Sequence, residues 1–369
     1  MDKRRTAQGA KTLAGGYYTS AEVWRREWER IFARHWLYVG RSAQMDAPGA
    51  YVLVEVGEES LILTRDEAGV ARGFYNVCRH RGTRLCAQSS GQFSHTIQCP
   101  YHAWTYDLAG SLIGAPNMHE VADFRKADYP LVPVAVAEWE GNLFLNLATD
   151  APPLTQALAP IWDKFAAWRL AELVVARETV YEVAANWKLI FQNYSECYHC
   201  PTLHPVLNRL TPYRNAGNDL EEGAILGGPM TLSDGVTSMT LSGQRCAPPL
   251  GDVRGADLGR VYYYTLFPGM FLSLHPDYVL IHRLQPLAVD RTRVICQWLF
   301  HPDALARPDF DPEGAVAFWD MTNRQDWEVC ELSQQGVSSR AYTPGPYAEL
   351  ESMIAAFDRA YLHALQLPV

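Results

Sequence analysis

The sequence predicts an α+β chain in which a small all-β domain precedes a larger domain of mixed helices and strands. Residues 50 to 147 break into short alternating or β-branched runs, Tyr51-Val-Leu-Val, Ser60-Leu-Ile-Leu-Thr and Asn142-Leu-Phe-Leu-Asn, parted by Gly, Pro and Asp. Beyond residue 155 helical periodicity and strand-like runs alternate. Between the two lies Thr149 to Thr155, which carries Pro152 and Pro153 and reads as a linker.

From Ser20 to about Trp36, Val23, Trp24, Trp28, Ile31 and Phe32 recur at three- and four-residue steps, which predicts an amphipathic helix. The second domain should hold helical segments near 154 to 170 and from about Asn186 to Cys200, with a strand at 173 to 183. Further strands are expected at Val261 to Leu274, Tyr278 to Gln285 and Thr292 to His301, and a long helix over 313 to 335. The expected partition is therefore a helical segment over 1–40 packing on the second domain, a β domain over 41–150, and the second domain over 151–369.

A chain of 369 residues with 48% apolar side chains can bury a large core. It has no apolar run long enough to span a bilayer, and its start, Met1 to Lys11, lacks the apolar centre of a signal peptide. A cytoplasmic location is expected. The net charge of -9 and the lack of a Lys/Arg block argue against nucleic acid and against an anionic membrane as partner.

Eight cysteines, at 78, 86, 99, 197, 200, 246, 296 and 330, make metal ligation the first question in a reducing compartment. Cys78-Arg-His80 is followed after eighteen residues by Cys99-Pro-Tyr-His102. Two thiolates and two imidazoles suit a Rieske cluster, cysteines on one iron and histidines on the other, and could also make a tetrahedral zinc site. Each hook mixes Cys with His, so each can send one ligand to each iron of a two-iron cluster. Cys86 reads as a buried thiol.

Cys78-Arg-His80-Arg-Gly and Cys99-Pro-Tyr-His102-Ala-Trp104 resemble the cluster loops of the Rieske non-haem iron oxygenases. The resemblance runs from Gly16-Tyr-Tyr-Thr to Ser339-Arg-Ala-Tyr-Thr-Pro-Gly-Pro346. It implies an N-terminal Rieske 2Fe-2S domain and a C-terminal helix-grip catalytic domain with an antiparallel sheet and a mononuclear Fe(II). It also implies a head-to-tail homotrimer without a small β subunit, in which the cluster of one subunit serves the iron of the next.

A second constellation lies in Glu196-Cys-Tyr-His199-Cys-Pro-Thr-Leu-His204-Pro. Five residues on a regular helix turn His199 and His204 about 140° apart, so the helix must break for both to reach one metal. Pro201 and Pro205 are expected to break it, leaving His199 in the last turn and His204 beyond it. Two histidines and a carboxylate with open positions form the facial set of Fe(II) oxygenases. The resemblance assigns the carboxylate to Asp326, and gives Glu196 the role of an electron and proton relay between subunits. Asp320 is the rival of Asp326, the two standing about 120° apart on a helix. The Cys197/Cys200 pair leaves a redox or zinc reading open. His35, His95, His119, His275, His282, His301 and His363 show no ligand spacing.

Activating dioxygen needs single electrons, and the chain has neither a nucleotide-binding glycine motif nor a flavin fingerprint. An NAD(P)H-dependent reductase of flavin and ferredoxin type should therefore feed the cluster at His80 and His102. Glu196 within Glu-Cys-Tyr-His-Cys resembles the branch of choline, carnitine and glycine-betaine monooxygenases and proline-betaine demethylases, which hydroxylate or oxidatively demethylate quaternary ammonium compounds. Two departures are Gln192, where a Glu commonly precedes Asn-Tyr, and the slightly long gap between the hooks.

An aromatic cage suits such a cation. Tyr262, Tyr264, Phe271 and Trp298 are the pocket candidates on strands expected around the iron, with core packing as their competing role. Alternation turns Tyr263 to the opposite face from Tyr262 and Tyr264. The competing activities are ring hydroxylation or O-demethylation of an aromatic acid, with Arg283 or Arg293 as anion anchor, and a Rieske carrier or sensor without oxygenase chemistry.

Overall fold

A computed structural model describes residues 9–366 and divides the chain into two compact units: Phe32–Ala157, and Met1–Ile31 together with Leu158–Val369. Most of the basic start, Met1 to Lys11, lies outside the described residues.

The smaller unit is all β. Its seven-stranded sheet has the order β1-β10-β9-β4-β3-β2-β5. The strands are β1 (Leu37–Arg41), β2 (Ala50–Val56), β3 (Glu59–Arg65), β4 (Ala71–Tyr75), β5 (Ser90–Gln92), β9 (Pro133–Trp139) and β10 (Asn142–Asn146). The interior strand β3 is buried from Ser60 to Thr64 on both faces, which is why its sequence is a continuous apolar run and not an alternating one. A second sheet, β6 (Thr96–Gln98), β7 (Thr105–Asp107) and β8 (Leu112–Gly114), has the order β6-β7-β8. Ile62, Phe74, Cys78, Cys99, Trp104 and Tyr106 belong to one buried cluster.

The larger unit is built on a six-stranded antiparallel sheet, order β11-β16-β15-β14-β13-β12. Its strands are β11 (Val174–Val183), β12 (Ile225–Thr231), β13 (Arg260–Leu266), β14 (Met270–Leu274), β15 (Val279–Ala288) and β16 (Arg291–Phe300). The single strand expected over 261 to 274 is two, because Pro268 and Gly269 interrupt it. Five helices matter for the site: α1 (Ala21–Glu27), α2 (Trp187–Tyr194), α3 (Cys200–Leu203), α4 (Pro205–Leu210) and α5 (Glu313–Val337). A sixth, α6 (Ser352–Ala364), packs against β12.

The N-terminal helix starts where Ser20 Oγ accepts the Val23 N–H, and passes after Glu27 into a π-helical turn, Trp28–Phe32. Glu27 is fully buried and binds Lys188, Trp187 and Tyr361. The helices expected near 154 to 170 are only short turns, Leu154–Ala157, Ala166–Trp168 and Leu170–Glu172.

The helix expected over 186 to 200 stops at Tyr194. Ser195 stops it locally: its hydroxyl bonds back to Phe191 O at 2.6 Å and its N–H shifts to Gln192 O at 3.1 Å. The prolines then act as helix starters. Pro201 and Pro205 occupy the first turns of α3 and α4, where a missing N–H costs nothing. His199 is consequently the residue before α3, and His204 the hinge between α3 and α4 at φ -122°, ψ 66°.

Candidate metal centres and substrate cavity

The two hooks sit on adjacent turns of the small unit. Cys78 and His80 follow β4, while Cys99 and His102 lie in the β6–β7 hairpin. Backbone bonds close both turns: Gly82 N to Cys78 O at 3.0 Å in the first, and Ala103 N to Cys99 O at 3.1 Å in the second. The cysteines are buried and the histidines half-buried. The histidine rings stand 4.7 Å apart, and His80 stacks on Trp104 at 4.9 Å.

The Tyr106 hydroxyl accepts the Arg79 N–H at 3.1 Å and lies 3.5 Å from Cys78 Sγ, so its own hydrogen is free for that sulfur. Burial raises the Cys78 thiol, and burial with the neighbouring His102 and Arg81 lowers His80, which keeps that imidazole in the neutral, ligating form. Cys86 belongs to the same buried hydrophobic cluster as Cys78 and Cys99 and is a thiol pushed up to about 11 by burial.

The residues fit a two-iron cluster better than one zinc ion. A tetrahedral zinc holds its donors about 3.3–3.8 Å apart. Among the described residues, however, only His199, His204 and Asp326 bring three such donors within 4.8 Å of one another. The wider set formed by the two hooks suits a cluster with a metal at each end. His102 Nδ1 is also buried without a hydrogen-bond partner, a donor in need of one.

In the larger unit α3 and α4 present the two histidines to α5. Their rings are 5.1 Å apart at 77°. His204 Nε2 lies 2.8 Å and His199 Nε2 3.4 Å from Asp326 Oδ1. Both Nδ1 atoms are held from behind, His199 by Glu196 Oε1 at 2.5 Å and His204 by Gln325 Oε1 at 2.8 Å. An acceptor at Nδ1 keeps the proton there and leaves Nε2 for a metal. The other oxygen of Glu196 accepts the N–H groups of Tyr198 and His199, which fixes the turn.

Burial alone would lower the His199 pKa, but Asp326 and Glu196 more than reverse this and hold it at about 10. Burial opposes ionisation of Asp326 as well, yet the two histidines keep its carboxyl below the usual range. A site with this negative potential, two imidazoles and one carboxylate suits a divalent iron. Asp320 is elsewhere: it accepts from Tyr181 at 2.8 Å and pairs with Arg324 at 2.8 Å. Of the thiols beside the histidines, Cys200 is buried and Cys197 Sγ lies 3.9 Å from Met230 Sδ.

A cavity of about 230 Å³ opens on His199, His204 and Asp326. Tyr194, Tyr263 and Trp319 form its aromatic wall, with Tyr194 and Tyr263 ring centres 6.4 Å apart and Tyr263 and Trp319 6.1 Å apart, each pair steeply inclined. The Tyr263 hydroxyl is buried and without a partner. Trp319 is fixed by its indole N–H, which donates to the Tyr278 hydroxyl at 2.7 Å.

The four pocket candidates are corrected here, since none of them lines this cavity. Tyr262 and Tyr264 point to the other face of β13, where they pack on Trp168 and Phe165 and bind Asp257 and Asp219. Phe271 stacks behind Tyr194 at 4.2 Å, and Trp298 is buried in β16. Alternation did separate Tyr263 from its neighbours, but Tyr263 is the one on the iron side. Trp319 and Gln325 carried only the signal of sharing a helix with Asp326. Arg283 and Arg293 do not line the cavity either, Arg293 being paired with Glu182 at 2.6 Å.

A cluster-binding β unit joined to a unit with an open two-histidine, one-carboxylate metal site has the layout of a terminal oxygenase. Residues 35–125 match the Rieske [2Fe-2S] domain, and residues 170–367 match the ring hydroxylating alpha subunit (catalytic domain). The glycine betaine monooxygenase oxygenase subunit of Chromohalobacter salexigens is 35% identical over 94% of this chain and 84% of its own. The carnitine monooxygenase oxygenase subunit of Acinetobacter baumannii is 40% identical over 53% of each chain. A solved quaternary ammonium Rieske monooxygenase, described with carnitine oxidation and inter-subunit electron transfer, superposes with a TM-score of 0.81 at 25% identity, covering 96% of this chain and 95% of that one.

The chain belongs to the ring-hydroxylating alpha-subunit family: it is the oxygenase component of a Rieske system. Its cofactors are a Rieske 2Fe-2S cluster and a mononuclear iron, and it draws its electrons from a reductase partner. Among the described residues no helix is long and apolar enough to cross a membrane.

Proposed function

We propose that this oxygenase hydroxylates or oxidatively N-demethylates a small quaternary ammonium compound. The aromatic wall of Tyr194, Tyr263 and Trp319 beside the His199/His204/Asp326 set carries the reading, because ring faces attract a cation that cannot be neutralised by losing a proton. Relatives that act on glycine betaine and carnitine support it.

Cys78, Cys99, His80 and His102 would hold the cluster, and His199, His204 and Asp326 the iron. When bound, the cluster supplies electrons singly and the iron supplies dioxygen activation. The rest is done by side chains of this chain. Tyr194, Tyr263 and Trp319 bind the ammonium head and set an N-methyl carbon towards the metal end of the cavity. Glu196 and Gln325 keep the Nδ1 protons of the two histidines in place. One oxygen atom of dioxygen enters the C–H bond and the other leaves as water, with two electrons and two protons from the reductase side. In demethylation the C–N bond of the hydroxylated N-methyl group then breaks, its electron pair stays on nitrogen, the hydroxyl proton is released and formaldehyde leaves.

The reductase of this proposal is NAD(P)H-dependent, of flavin and ferredoxin type. The assembly is a homotrimer in which Glu196 relays electrons and protons from a neighbour's cluster, and its location is cytoplasmic. The solved relative described with inter-subunit electron transfer supports this arrangement.

The test is oxygen uptake and formaldehyde release by the iron-loaded enzyme with a reductase and a panel of betaines and cholines. Trp319→Ala is expected to raise KM for the accepted cation by about 5- to 30-fold, and to change KM much less for an uncharged tert-butyl analogue. No oxygen consumption with any quaternary ammonium compound would sink the proposal. Glu196→Gln is expected to weaken iron retention by about 10- to 100-fold against a chelator, since it removes the charge behind His199. Unchanged iron retention and unchanged oxidation of the reduced cluster in that variant would take both roles from Glu196.

A further inference from the structure

The cavity is polar in an uneven way. Its acidic groups are Glu196, Asp326 and Glu349, and among the described residues Arg214 is the sole lysine or arginine that lines it. Trp319 at the aromatic end is buried, while Arg214 is exposed. We propose that Arg214 anchors a carboxylate of the substrate, so that the enzyme selects quaternary ammonium compounds that also carry a carboxylate. This inference rests on the quaternary ammonium reading above and narrows it to zwitterions.

Arg214 is held as an anchor should be. It sits in the turn Tyr213–Asn215 between α4 and β12. The Tyr213 N–H donates to Asn208 Oδ1 at 3.0 Å, and the Asn215 N–H to Pro212 O at 2.8 Å. The following loop lies flat on β12, with Gly217 N bonded to Pro229 O at 2.8 Å. Contact there is so close that a Cβ on Gly228 would come within 2.4 Å of the Gly217 oxygen.

The guanidinium lies over the Tyr213 ring at 5.3 Å, and its Nε donates to the Tyr213 hydroxyl at 2.8 Å. That bond orients the planar group and leaves both terminal nitrogens for a ligand. Among the described residues no carboxylate pairs with it. Two terminal N–H groups side by side match the two oxygens of a carboxylate, a geometry that an ammonium group does not offer. With Tyr194, Tyr263, Trp319 and Asp326 in the part of the cavity that is shielded from solvent and the guanidinium in its exposed part, the cavity has the charge order of a betaine.

The test compares glycine betaine with choline, which keeps the trimethylammonium head and replaces the carboxylate by a hydroxymethyl group. Turnover with the reductase and binding by tryptophan fluorescence are measured for wild type, Arg214→Ala and Arg214→Lys. The ratio of kcat/KM for glycine betaine over choline should fall by about 10- to 100-fold in Arg214→Ala, mainly through KM, with part of it restored in Arg214→Lys. A merely structural Arg214 would move both substrates together and leave the ratio unchanged, which overturns the inference while the quaternary ammonium reading stands. Wild type that neither binds nor turns over either compound removes that reading, and the inference with it.

Discussion

Asp326→Ala should purify with about two irons and two acid-labile sulfides per chain, where wild type holds about three irons and two sulfides. Its turnover should be lower by more than about 100-fold. Outer partners of metal ligands already cost about 10- to 100-fold when removed, and among the described residues Asp326 is the one carboxylate within reach of both Nε2 atoms. The EPR signal of the dithionite-reduced cluster should be unchanged, because the cluster ligands belong to a different unit. The control is Asp320→Ala on the same helix. It removes the partner of Tyr181 and Arg324 but should leave three irons in place. Full iron and full turnover in Asp326→Ala would move the third ligand elsewhere and dissolve the facial site.

Metal chemistry was the most legible part of this sequence because it is local. Cys78-Arg-His80 and Cys99-Pro-Tyr-His102 each lie in one tight turn, so their spacing already carries the geometry. The strand patterns were legible for a related reason, since alternation and apolar runs report burial directly.

The substrate cavity was less legible because it depends on parity and on distant elements. Tyr262, Tyr263 and Tyr264 are equivalent in composition, and only the register of β13 against β12 and β14 shows that Tyr263 faces the iron side. Trp319 and Arg214 are separated by about a hundred residues, and only the folded sheet brings both to one cavity. Pro205 leaves His204 outside helical geometry as expected, at φ -122° and ψ 66°, whereas Pro201 misled for a physical reason. Pro disfavours helix in the residue before it, yet it is at home in a first turn, and the chain uses it to begin α3 and α4. Gln325 left no mark because its role, holding His204 Nδ1, exists only in the assembled site.

The largest stability effect is expected from Lys188, at the start of the helix that leads into the iron-site segment. Lys188→Met should cost about 3–5 kcal/mol of unfolding free energy, as removal of one member of a buried ion pair does. Its ammonium is fully buried, 2.5 Å from Glu27 Oε1 and within 5.1–5.6 Å of the ring centres of Tyr361, Trp187 and Tyr18. Burial lowers its pKa, and the Glu27 carboxylate opposes that shift.

Without Lys188, Glu27 keeps the Trp187 and Tyr361 hydrogen bonds but loses its counter-charge in a dry site. The stranded charge, not the lost contact, should dominate the cost. The double variant Glu27→Leu/Lys188→Met separates the two, since replacing a whole buried pair by apolar groups is often neutral. Urea unfolding of the iron-loaded protein should find the double variant more stable than the single one. If instead the double variant is the weaker, the Trp187 and Tyr361 hydrogen bonds to Glu27 outweigh its charge. The strap of α1 onto α2 would then be held by neutral hydrogen bonding and not by the ion pair.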